Sequence, residues 1–161
     1  MLCRSAKDAG RPIVIVQINY RLGVFGWLAS SDLASEHNST EPTTGETSDH
    51  FANFGLMDQR NAFEWIQTHV EDFGGDPANV TAWGSSAGSG SLHMHILSGK
   101  PLFDRAILMS CSGPTMGPFP FKLLENGWTK LCSAAEISAE TSDERLKKLR
   151  ALSQDEMLQK C

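Results

Sequence analysis

No apolar run in this 161-residue chain approaches the ~20 residues that cross a bilayer as a helix, so no membrane span is expected. Cationic excess is lacking too. Fourteen Lys and Arg stand against nineteen Asp and Glu, and the net charge of −5 argues against nucleic acid or an anionic membrane surface as partner. The four cysteines, Cys3, Cys111, Cys132 and Cys161, are too few and too scattered for a disulfide scaffold or a zinc site. Cys111 follows an apolar run and reads as a buried thiol. Cys132 and Cys161 could pair in a secreted protein, but free thiols are the favoured reading. The opening Met1-Leu2-Cys3-Arg4-Ser5-Ala6-Lys7 has no apolar signal-peptide core, and no internal repeat is visible. What remains is enough chain for one domain, with an ordinary apolar fraction of 40%.

The most informative stretch is Gly84-Ser85-Ser86-Ala87-Gly88, a G-x-S-x-G match. Val80, Thr81, Ala82 and Trp83 enter it as an extended run, and Leu92, Met94, Ile96 and Leu97 leave it on a helix. Strand, sharp turn and helix make the context of a nucleophile elbow. A serine in such a turn takes a strained backbone conformation, with φ above zero. Side chains two positions to either side would collide there, and Gly84 and Gly88 carry no Cβ. Ser86 would cap a helix whose free N–H groups favour an oxyanion, with the Ala87 N–H as first donor. The bland alternative is a Gly/Ser-rich turn without chemistry.

Ile13 to Tyr20 is nearly all β-branched, which suits a strand buried on both faces of a parallel sheet. Residues 30–50 are rich in Ser, Thr, Glu, Gly and Asp and read as an exposed loop, with Asn38-Ser39-Thr40 a glycan acceptor if the protein is secreted. Leu56, Phe63, Ile66 and Val70 fall on one helical stripe, which Gly74-Gly75 ends; Asp76-Pro77 then turns into the elbow strand. Phe103 to Ser110 reads as another buried strand. Parallel strands at 13–20, 79–85 and 104–110 with connecting helices define an α/β fold, followed by a helical C-terminal tail. In that tail Phe121, Leu124, Trp128 and Leu131 share a face. Thr141…Glu144 and Ser153…Glu156 both match a capping box. The helix between, with Arg145, Lys147, Lys148 and Arg150, reads as a solvated cationic face.

Five segments in order resemble the carboxylesterase type-B family of α/β-hydrolases, which includes cholinesterases and fungal lipases. They are Ile18-Asn19-Tyr20-Arg21-Leu22-Gly23-Val24-Phe25-Gly26, Asn53-Phe54-Gly55-Leu56-Met57-Asp58-Gln59, Phe73-Gly74-Gly75-Asp76-Pro77, the elbow, and Ala106-Ile107-Leu108-Met109-Ser110. The resemblance implies that Ser86 is acylated, that the Ala87 N–H serves the oxyanion hole, and that Arg21 and Asp58 form a structural ion pair. A solvated charge is the alternative at either member of that pair. It implies a small-molecule ester substrate, with no cofactor and no metal. The family usually has Glu before the nucleophile, where this chain has Ser85.

A serine needs a histidine base and the base an orienting carboxylate, in the chain order Ser, acid, His. After Ser86 only His93 and His95 occur, roughly 10 and 13 Å along the elbow helix, too far to reach the hydroxyl. Both read as packing or polar-contact residues. His37 and His50 precede the serine and are poor candidates. No His-Gly-Gly-Gly-type loop supplies the second oxyanion donor. Residues 1–161 are therefore expected to be an internal part of a carboxylesterase type-B domain. The strand missing beside 13–20 would leave a slot about 9–10 Å wide, and the isolated chain is expected to fold poorly. Two functions stand: a carboxylic-ester hydrolase acting through Ser86, or an inactive fragment or pseudo-hydrolase with a binding role. A leader would precede residue 1 of a longer protein, so localisation is left open.

Overall fold

The computed structural model describes residues 2–40, 51–116 and 119–160. Its elements are α1 (Leu2–Asp8), α2 (Gly23–Trp27), α3 (Ser31–Thr40), α4 (Phe54–His69), a 3-10 turn (Val70–Phe73), β1 (Thr81–Ser85), α5 (Ala87–Leu97), β2 (Arg105–Met109), α6 (Gly113–Met116), α7 (Phe121–Ala134), α8 (Ser142–Arg150) and α9 (Gln154–Gln159). The chain divides into two compact units, Met1–Tyr20 with Leu56–Pro118 and Arg21–Gly55 with Phe119–Cys161.

The first unit is α/β. β1 and β2 run parallel, with Thr81 opposite Arg105 and Ser85 opposite Met109. Both fall inside the ranges read from sequence. The carboxylate of Asp104 accepts the Val80 N–H at 2.8 Å, and the Asp104 N–H returns a bond to the Val80 carbonyl at 2.9 Å, which sets the register before the ladder begins. Phe63, Ile66 and Val70 form the buried stripe expected of α4 and its continuation, and they pack with Ala82, Leu92 and Leu102. Leu56 is half-buried. Gly74 ends the helical stretch at φ 77°. At Gly75 a Cβ would stand 2.4 Å from a Val70 methyl, so only glycine fits. Asp76 then accepts the Ala78 N–H at 2.9 Å, the side-chain turn that Asp-Pro promises.

The third expected strand, 13–20, does not form. Among the described residues the sheet has two strands, and Ile13, Val14, Ile15 and Val16 are exposed. β-branched residues suit a pleated surface, but they cannot supply the neighbouring strand and covering layers that a strand buried on both faces requires. Trp83, Ile107, Leu108 and Met109 are likewise exposed on the strands that do form.

The second unit is helical. Trp128, Leu131 and Cys132 of α7 meet Ile137, Leu146, Leu149 and Met157, with Val24, Phe25, Leu28 and Leu33 packed against them. Phe121, expected on the same face of α7, is exposed. The expected loop over 30–50 is corrected for its first part, because Ser31–Thr40 is a helix; residues 41–50 lie outside the described residues, as does the Asn38 side chain. Polar composition misled here because the polar residues of α3 are its docking face. Asp32, only 3% exposed, meets Arg145, and Glu36 one turn later receives two bonds from Arg150. The solvated cationic face expected on α8 is corrected for the same reason. Two of its four cations bond α3, and Lys148 donates to the Ser138 carbonyl at 2.6 Å. Ser153 and Glu156 form the full capping box of α9. On α8, Thr141 accepts the Glu144 N–H at 3.3 Å.

Candidate active site

Ser86 is the residue between β1 and α5, and its backbone is held from both sides. Its N–H donates to the Met109 carbonyl at 2.8 Å, one step beyond the β1–β2 ladder, and its carbonyl accepts the Gly90 N–H at 3.0 Å. Those bonds hold it at φ 52°, ψ −121°, a conformation rare outside glycine. The residue is exposed, its hydroxyl makes no cap bond to α5, and among the described residues no side chain is bonded to it. Ala87, the first residue of α5, is exposed beside it, with its N–H in the unpaired first turn of the helix.

The glycines of the turn differ. A Cβ on Gly84 would stand 2.5 Å from the Gly88 carbonyl carbon and 2.7 Å from the Ser89 nitrogen, so strand and helix close together only over a glycine. A Cβ on Gly88 would meet nothing within 4 Å. The collision expected at both positions arises at Gly84 alone, because Gly88 contributes its backbone to that contact and faces open space with its own hydrogens.

His93 and His95 are engaged away from the hydroxyl, as their spacing requires. The Nδ1 of His93 accepts the Gly113 N–H at 2.7 Å. His95 is buried; its Nε2–H donates to Gln59 Oε1 at 3.0 Å and its ring meets Phe63 edge-on. Burial, helped by the Arg60 charge, holds the His95 pKa below its ordinary 6.5. His37 lies on α3 in the second unit, and His50 lies outside the described residues. His69, passed over in the sequence, bonds the Trp65 carbonyl at 3.0 Å and stacks on the Trp65 ring.

Arg21 carries its guanidinium 5.3 Å from the centre of the Phe54 ring. Its carbonyl oxygen would lie 2.0 Å from a Cβ on Gly26 and 2.9 Å from one on Gly55, which explains glycine at both positions. Asp58 lies on α4. Cys111 is half-buried rather than buried, because it follows the strand into a turn and its Sγ lies 3.3 Å from the Thr115 hydroxyl. Cys132 is a buried free thiol whose pKa burial raises; Cys161 lies outside the described residues. Among the described residues no cluster of His, Cys, Asp and Glu has the form of a metal site.

Sequence reasoning missed Ser89. It is fully buried, and its hydroxyl donates to the Cys111 carbonyl at 2.6 Å. The signal was present in its position, three residues after Ser86 and so on nearly the same helix face.

A parallel β1–α5–β2 crossover with a positive-φ serine at the strand-to-helix turn is the central motif of an α/β-hydrolase fold. The chain belongs to the carboxylesterase family, whose sequence pattern matches residues 5–161. It is 42% identical over 107 residues to carboxylesterase patB of Penicillium expansum, covering 66% of this chain and 16% of that protein. It is 44% identical over 100 residues to an acetylcholinesterase of Danio rerio, covering 61% of this chain and 14% of that one. Against lipase 2 of Diutina rugosa it is 33% identical over 162 aligned positions, 93% of this chain and 26% of the lipase. Among solved structures, juvenile hormone esterase from Manduca sexta, with OTFP covalently attached, superposes at a TM-score of 0.76 with 27% identity. That match covers 96% of this chain and 27% of the esterase. The chain thus spans about a quarter or less of the relatives it matches.

Proposed function

We propose that Ser86 is the nucleophile of a carboxylic-ester hydrolase acting on small-molecule esters, and that residues 1–161 are part of its catalytic domain. The observation that carries this reading is the Ser86 turn: a strained serine at a helix N-terminus, held by Met109 and Gly90, with an exposed hydroxyl. In the reaction the Ser86 oxygen attacks the ester carbonyl carbon while its proton passes to a base. The carbonyl oxygen becomes an oxyanion facing the Ala87 N–H. The alcohol leaves with the proton, and water releases the acid from Ser86. Arg21 and Asp58 would brace the site as an ion pair, a role that the family resemblance supports. The covalent ligand on the juvenile hormone esterase agrees with a covalent step in this family.

A second reading concerns the chain by itself. Among the described residues no histidine or carboxylate bonds the Ser86 hydroxyl, and His93 and His95 are committed elsewhere. The 161-residue chain is therefore expected to be inert, as a part of an esterase or as a pseudo-hydrolase with a binding role. Incubation with a fluorophosphonate, read by mass spectrometry, is expected to leave Ser86 unlabelled; rapid stoichiometric labelling would overturn this second reading. Flanking genomic sequence should show a Gly-rich loop before this segment and an acid followed by His after it. In the protein so encoded, labelling at Ser86 is expected to be rapid, and Ser86→Ala should cut ester hydrolysis by at least roughly a thousandfold. Full activity in that variant would sink the hydrolase reading.

A further inference from the structure

Three hydrogen bonds fasten one face of α5 to the segment leaving β2. The Ser86 N–H donates to the Met109 carbonyl at 2.8 Å, the Ser89 hydroxyl donates to the Cys111 carbonyl at 2.6 Å, and the His93 Nδ1 accepts the Gly113 N–H at 2.7 Å. On the helix the partners step by three and four residues; on the opposing segment they step by two. Seven helical residues rise ~10.5 Å and four extended residues ~13 Å, so the two rows stay nearly in step. Ser110, at φ 60°, takes up the remaining mismatch with a bend. Gly113 closes the row. A Cβ there would stand 3.0 Å from the Met94 methyl and 3.1 Å from His93 Nδ1, a tight fit that glycine avoids. The ring serves as an acceptor at Nδ1, which requires it neutral there with its proton on Nε2.

We propose that His93 is a positioning residue of the Ser86 turn. By holding the Gly113 N–H it pins the 109–113 segment, and that segment, through the Met109 carbonyl, holds the Ser86 amide in its strained conformation. A positive-φ residue persists only where its surroundings over-determine it. The Ser86 amide bond is the first rung of the row, and His93 anchors the last. The significance for catalysis rests on the reading of Ser86 as nucleophile; the coupling itself does not.

The test is hydrogen–deuterium exchange of the whole chain at micromolar concentration, read by mass spectrometry with fragmentation to single residues. His93→Leu removes the acceptor. In His93→Gln the acceptor moves one atom outward. In His93→Asn the amide oxygen takes the place of Nδ1. Exchange at Gly113 and at Ser86 is expected to rise about fivefold to tenfold in the Leu and Gln variants and to return to the parent rate in the Asn variant, as the loss of one hydrogen bond implies. Amides of α8, in the other unit, serve as the internal reference. Unchanged exchange at Ser86 in His93→Leu, or an Asn variant no better than Leu, overturns the proposal. Should His93→Leu fail to fold, Ser89→Ala severs the middle rung and is expected to raise Gly113 exchange alike; an unchanged rate there overturns it too. These are backbone readouts, so full ester hydrolysis by Ser86→Ala in the longer protein would sink the hydrolase reading and leave this one standing.

Discussion

A Cβ at Gly84 would lie 2.5 Å from the Gly88 carbonyl carbon, whereas a Cβ at Gly88 would lie in open space. Gly84→Ala is therefore expected to lose roughly 1–3 kcal/mol by forcing β1 and α5 apart. Gly88→Ala, inside a helix, should gain up to about 1 kcal/mol. Urea unfolding of the two variants checks this, and equal midpoints would contradict it. His95 makes a prediction of a different kind. Its folded pKa lies below the ordinary 6.5 because the ring is buried against Gln59 and Phe63 near Arg60. The unfolded chain thus takes up a proton first as pH falls. Above pH 6.5 the residue contributes no pH dependence; below it, stability falls until the folded pKa is passed. The urea midpoint should drop between pH 7.5 and pH 5 in the parent and drop less in His95→Leu. Parallel curves would refute it.

At the scale of elements, α3 and α8 form a polar helix pair. Asp32 accepts two bonds from Arg145, both at 2.6 Å, and one each from Ser142 and the Trp128 indole. The Arg145 bonds, with those of Ser142 and Trp128, hold the Asp32 carboxyl below its usual range despite the opposing cost of burial. Its contribution is present above the unfolded value of 3.8 and is lost as pH falls through the lower folded value. Asp32→Asn should lower the unfolding midpoint, because an amide N–H₂ replaces one of the two oxygens that accept from Arg145, Ser142 and Trp128. Asp32→Leu with Arg145→Met should recover much of that. A double-mutant cycle on thermal unfolding measures the coupling, and additive effects would contradict it. The sequence cue for this pair was weak: Asp32 and Glu36 stand one turn apart in a stretch whose composition reads as loop, and their partners lie 113 and 114 residues away.

At the scale of the whole molecule, exposed apolar surface dominates. Trp83 is 63% exposed on β1, Ile107, Leu108 and Met109 are exposed on β2, and Ile13 to Val16 find no strand to join. Surface of this kind on a two-stranded sheet invites association. The chain is expected to bind an apolar fluorescent dye at neutral pH and to sediment as concentration-dependent assemblies. Monomeric sedimentation at every concentration with near-zero dye binding would sink that expectation.

The Ser86 turn, β1, β2, the stripe of α4 with its Gly74 stop, and the cap of α9 were all legible in the sequence. Each is signalled by residues within a few positions of one another: a glycine where a Cβ would clash, a left-handed stop, a Ser three residues before a Glu. Family membership was legible for a related reason, since it rests on five local segments in order. Tertiary structure alone decided that 13–20 is not a strand, because a strand requires a neighbour. It alone made α3 a helix docked by its acids, bonded two α8 cations to those acids, and set His93 on the Gly113 amide. Those outcomes depend on hydrogen-bond partners about 20 to 114 residues away, which local composition and periodicity do not encode.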